Sequence, residues 1–68
     1  MTPTELKEAR LTLGLTLEQM ATMLRYKGSG RRQQMWNLEN GLRTLGDERA
    51  ELVKVYLSGY RPDDWPIL

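Results

Sequence analysis

The 68-residue chain contains neither cysteine nor histidine. The first absence excludes disulfides, and the two together remove the thiolate and imidazole ligands from which zinc sites are built. Catalysis by an imidazole is excluded with them. Carboxylates are present, but they do not recur at the spacing of a calcium-binding loop. No nucleophile stands beside a base, no acids are paired, and there is no nucleotide-type phosphate loop, so neither enzymatic activity nor a cofactor is expected. No apolar run approaches the roughly 18 residues that a spanning helix needs, and no charged stretch followed by an apolar one opens the chain. A cytoplasmic protein is expected, with no membrane partner. Repeats and low-complexity tracts are missing too. At this length one small domain fits, 1–68, burying only about 60% of its unfolded surface.

The formal net charge of +1 hides an uneven distribution. Between Arg25 and Arg43 five bases (Arg25, Lys27, Arg31, Arg32 and Arg43) stand against the single acid Glu39, a local net charge of +4. Residues 1–24 carry two bases and three acids, and residues 44–68 three bases and five acids. A basic patch enclosed by acidic flanks is the electrostatic footprint of a phosphate-contacting surface.

That patch coincides with the stretch from Gly28 to Gly41. Ser29 is suited to cap a helix start and Gly41 to supply the left-handed residue that ends one. At helical spacing Met35 and Leu38 share one side, and Arg32, Gln33, Trp36 and Asn37 share the other. Arginine matches the O6/N7 edge of guanine, and glutamine or asparagine the N6/N7 edge of adenine. A polar helix face is commonly only a solvated one; the surrounding cations set this one apart. For Trp36 two roles stay open: flat contact with a sugar and a thymine methyl, or packing on its own helix.

Three further helices are predicted. Thr2-Pro3-Thr4-Glu5 has a capping hydroxyl, a proline at the first helical position and an acid at the reciprocal position, and Leu6, Ala9 and Leu13 form the stripe that runs to Gly14. Thr16 and Gln19 repeat the capping pattern ahead of Leu17, Met20, Ala21 and Leu24, with Met23 as core filler and an end near Arg25 or Tyr26. Leu42 and Leu45 are expected to pin the next connection to the core. Asp47 is expected to cap the fourth helix, with Glu48 in its first turn, and Gly59 to stop it. Leu52, Val53, Val55, Tyr56 and Leu57 give that helix more than one apolar face, and a turn-rich tail follows. Val55, Tyr60, Trp65, Ile67 and Leu68 exceed what a lone domain needs; they either cover its underside or make a two-fold dimer contact.

Two short helices, a connection and a polar helix have the order of a helix-turn-helix over about residues 16–41, followed by a C-terminal helix and tail over 47–68. Leu-Gly-Leu-Thr at 13–16, Ala21, and Leu-Glu-Asn-Gly at 38–41 resemble the Cro/repressor class (XRE family) of phage and bacterial regulators, over roughly residues 4–57. The resemblance implies an all-α, compact four- to five-helix lambda-repressor-like DNA-binding domain. It further implies an ion pair between Arg10 and Glu39, base or adjacent phosphate contacts from Arg32, Gln33 and Asn37, and a path along the DNA backbone for residues 40–43.

Two departures from the family pattern stand out. The connection from Tyr26 to Arg31 exceeds the usual three or four residues, and Leu17 sits where relatives commonly place a phosphate-touching glutamine. Arg25, Lys27, Arg31, Asn40 and Arg43 are the expected phosphate contacts, and Ser29 with its glycines offers backbone amides. The function expected from the resemblance is a sequence-specific double-stranded DNA-binding regulator. It would be an autoregulatory repressor of phage or mobile-element type, binding an inverted-repeat operator as a homodimer at the nucleoid of a bacterial or phage-infected cell. No small-molecule ligand is expected. The alternative is a protein-interaction module, an antitoxin or adaptor, that binds through its apolar C-terminal surface.

Overall fold

Two helix starts follow directly from their capping threonines. In the computed structural model, which describes residues 1–66, α1 spans Pro3–Leu13, α2 Leu17–Met23, α3 Arg31–Glu39 and α4 Asp47–Leu57. No strand occurs among the described residues, and the chain is all-α. Ahead of α1, Thr2 Oγ1 accepts from the Glu5 amide at 3.1 Å while Glu5 Oε1 accepts from the Thr2 amide at 2.7 Å. These hydrogen bonds from Thr2 hold the Glu5 carboxyl below its usual range. Thr16 and Gln19 repeat the exchange ahead of α2, at 3.1 and 2.9 Å. Each such cap typically contributes about 1 kcal/mol.

The other two starts depart from expectation. Gly30 and Gly46 occupy the cap positions of α3 and α4, and neither helix has a side-chain cap. Ser29 lies one residue too early to reach the orphan amides. Asp47 lies one residue too late, inside the first turn, where its charge with that of Glu48 still favours the positive helix end.

All four helices end in the same closure, with a left-handed residue followed by an amide that reaches back five residues. Leu15 N bonds to Arg10 O, Tyr26 N to Ala21 O, Leu42 N to Asn37 O and Tyr60 N to Val55 O. Gly14, Gly41 and Gly59 hold the left-handed position in three of them, but in α2 it is Arg25, at φ 68°. Only this helix end lacked a glycine to mark it, and α2 stops at Met23, short of the predicted Arg25 or Tyr26.

The last carbonyls of α2 are all satisfied, two of them from α4. Met23 O accepts from Tyr56 Oη at 2.7 Å, and Leu24 O from Arg49 Nε at 2.8 Å. Arg49 also lies 4.0 Å over the Tyr26 ring, so a cation faces the negative end of α2. Burial around the Tyr56 hydroxyl pushes its pKa up.

The core consists of Leu6 and Ala9 from α1, Leu15, Met20, Ala21, Met23 and Leu24 in and around α2, Met35 and Leu38 from α3, and Val53 and Tyr56 from α4. α2 and α3 pack on each other, and α1 packs on both α3 and α4. Leu45 joins the core edge, but Leu42 does not: it is 66% exposed, because its amide rather than its side chain closes α3.

The tail folds back. Trp65 meets Tyr56 edge-on at 5.1 Å, and Arg61 covers the Trp65 ring at 4.3 Å while donating to Tyr56 O. Trp65 therefore covers the domain's own underside and leaves the set of residues offered for a dimer contact. Val55 and Tyr60 remain exposed; Ile67 and Leu68 lie outside the described residues. No described helix is long and apolar enough to cross a membrane.

Candidate nucleic-acid interface

α3 is seated from beneath and tied at its far end. Met35 and Leu38 are buried, and Glu39, its last residue, receives Arg10 Nε at 2.7 Å and Nη2 at 3.2 Å. The structure thus brings together Arg10 and Glu39, 29 positions apart. On the outward side Arg32, Gln33 and Trp36 are exposed and Asn37 is half-buried. Gln33 Nε2 donates to Asn37 Oδ1 at 3.0 Å, one turn along. This pairing orders both amides and leaves the Gln33 carbonyl, one Gln33 N–H and both Asn37 N–H groups for an incoming partner. Arg32 makes no hydrogen bond or ion pair among the described residues.

The cations divide into two groups. Arg31 is fully engaged: Nε donates to Thr22 Oγ1 at 3.0 Å, Nη1 to Gly28 O at 3.1 Å and Nη2 to Glu18 Oε1 at 2.7 Å. It fastens the connection over residues 24–30 and the start of α3 to α2. Arg25 is turned toward the tail, where Asp64 Oδ2 accepts from its Nη1 at 2.7 Å. That contact holds the Asp64 carboxyl below its usual range and raises Arg25. Lys27, Arg32 and Arg43 have no carboxylate partner among the described residues. The charge count along the chain missed this division because Glu18 and Asp64 lie 13 and 39 positions from the arginines they balance.

Asn40 Nδ2 donates to Trp36 O at 2.8 Å, so one of its amide hydrogens serves the end of α3. Ser29 is exposed in the connection, beside Gly28 at φ 94°. Ser29, Arg32, Gln33 and Trp36 line one open concavity of about 470 Å³ together with Leu17, the first residue of α2. Sequence reasoning assigned Leu17 to the core. It is only half-buried, being the first helical residue after the Thr16 cap. Trp36 is 44% exposed and is one of the residues lining this concavity.

The concavity therefore combines an ordered amide edge, a free guanidinium and a short apolar wall beside the polar helix, while Arg43 lies apart from it, with Leu38 and Thr44. Comparison of the chain with protein-family models, with curated proteins and with solved structures finds no match.

Proposed function

We propose that the chain is a sequence-specific double-stranded DNA-binding regulator. In this reading α2 and α3 form a helix-turn-helix with a lengthened turn in a lambda-repressor-like domain, and α3 is the recognition helix. The observation that carries the reading is the outward face of α3: Arg32, Gln33 and Asn37 keep base-matching groups unspent on the protein's own body. α3 has nine residues, and a helix, about 10–12 Å across with its side chains, fits the roughly 12 Å width of the major groove. Arg32 and Gln33 address base edges, Asn37 and Trp36 assist, and Lys27 and Arg43 neutralise phosphates. Arg31 and Arg25 act mainly inside the fold, since their charges are balanced by Glu18 and Asp64.

The longest dimension of the domain, 30 Å, also suits two copies on successive major grooves, whose half-sites are about 34 Å apart. Val55 and Tyr60 are exposed for such a contact. By occupying an inverted-repeat operator the pair obstructs polymerase, as a repressor does. The competing reading, an adaptor or antitoxin that binds protein through its C-terminal surface, loses support because Trp65 packs on Tyr56.

Selection from a random duplex pool tests the proposal. Enrichment of one inverted repeat by the unaltered chain, lost with Arg32→Ala and Gln33→Ala together, is the expected result. No enrichment of any sequence at low salt contradicts it.

A further inference from the structure

The apolar part of the concavity calls for its own account. Leu17 and Trp36 are the apolar residues that line it, and Ser29, Arg32 and Gln33 complete the lining. The side chain of a leucine at the first residue of α2 offers a phosphate no donor. An exposed tryptophan lining the same concavity adds apolar surface beside the free guanidinium of Arg32. The unpaired guanidinium of Arg32, with the Gln33 amide beside it, complements a polyanion carrying base edges rather than an apolar peptide, so the occupant is duplex DNA. Within the major groove the base edges present one apolar group, the methyl at C5 of thymine. 5-Methylcytosine carries the same group at the same place.

Resting on the DNA-binding reading above, we propose that Leu17 and Trp36 form the walls of a slot for the 5-methyl group of a pyrimidine, beside the base pair that Arg32 and Gln33 address. Leu17, a residue of α2 rather than of the recognition helix, then determines specificity at one base pair in each half-site. The connection over 24–30 positions the slot, because Arg31 ties Gly28 to Thr22 and Glu18 of α2 and so fixes the distance between the two helices that supply its walls.

The test begins with the duplex recovered by selection and the unaltered protein, so that the methyl dependence itself is read without any variant. Each thymine is replaced in turn by deoxyuridine, which removes only the methyl group, and each cytosine by 5-methylcytosine, which adds it. Affinity is read by fluorescence anisotropy. Loss of a buried methyl is expected to weaken binding about fourfold at one position per half-site. If that position holds cytosine, methylation is expected to strengthen binding by about the same factor. The same replacements with Leu17→Gln, Leu17→Met and Trp36→Ala then assign the effect. The methyl dependence falls away in the first and third and persists in the second, which keeps the apolar volume.

Duplexes that bind equally well with and without every methyl overturn the slot while leaving DNA binding in place. A methyl effect that persists unchanged in both Leu17→Gln and Trp36→Ala does the same. Failure to bind any duplex overturns the DNA-binding reading, and the slot with it.

Discussion

Arg10 clasps Glu39 with two guanidinium nitrogens, at 2.7 and 3.2 Å, and joins α1 to the last residue of α3 where the two side chains are only 14% and 4% exposed. Its third nitrogen donates to Leu15 O at 3.0 Å. Glu39→Ala strands a largely buried cation, which typically costs about 3–5 kcal/mol. A domain of this length holds roughly 0.05–0.15 kcal/mol per residue, so the variant is expected to lose a large share of its stability and to melt well below the unaltered chain. Arg10→Met with Glu39→Met is expected to melt higher than Glu39→Ala alone. Thermal melts followed by circular dichroism check both, and an unchanged midpoint for Glu39→Ala would deny the pair its structural role.

Tyr56→Phe removes the donor to Met23 O and leaves a buried carbonyl unsatisfied, at a cost of about 1–2 kcal/mol. Urea midpoints measure it. Burial raises the Tyr56 pKa, so the folded state keeps this proton at a pH where the unfolded chain releases it. Its contribution is fully present below the unfolded value of about 10 and declines as pH rises above that. Tyr56→Phe should therefore lose less stability than the unaltered chain between pH 9 and pH 11. Equal losses would contradict the assignment.

Arg25 holds a left-handed backbone that glycine adopts without strain. Arg25→Gly and Arg25→Ala both lose the exposed pair with Asp64, so their difference isolates the backbone term. The glycine variant is expected to be more stable by about 1 kcal/mol. Equal stability would show that the left-handed turn at the end of α2 costs the chain nothing.

Much of the fold was legible before the structure. The capping boxes at Thr2 and Thr16, the glycine stops, and the burial of Met35 and Leu38 under α3 depend on residues within a few positions of one another. What sequence reasoning misplaced depends on tertiary partners or on a one-residue register. Ser29 and Asp47 missed the cap positions by one residue each, and Leu42 gave its amide rather than its side chain; for Trp65 the contact with Tyr56 decided between the two roles the sequence left open. In the candidate site the outward set of Arg32, Gln33, Trp36 and Asn37 was read from helical spacing alone. The engagement of Arg25 and Arg31 was not, because no local pattern points to Asp64 or Glu18.

The division among the cations can be checked one residue at a time. Lys27→Ala and Arg43→Ala are each expected to weaken binding to all duplexes alike and to make the log–log salt dependence shallower by about 0.9. Arg31→Ala is expected to leave that slope unchanged, since its charge is already balanced by Glu18. Arg32→Ala and Gln33→Ala are expected to lose about 1–3 kcal/mol of discrimination at one base position each. Anisotropy titrations of each variant across a salt series give both quantities, and a slope that changes with Arg31 but not with Lys27 would reverse the assignment.

In the proposed complex the outward side of α3 lies in the groove of a duplex, with free cations on the flanking phosphates. Its most direct measurement is retention of a labelled duplex by the unaltered protein from low to moderate ionic strength. Lys27 and Arg43 alone predict a linear log–log dependence with a slope of about −1.8 or steeper. A duplex that is never retained, or one whose affinity is indifferent to salt, would contradict it.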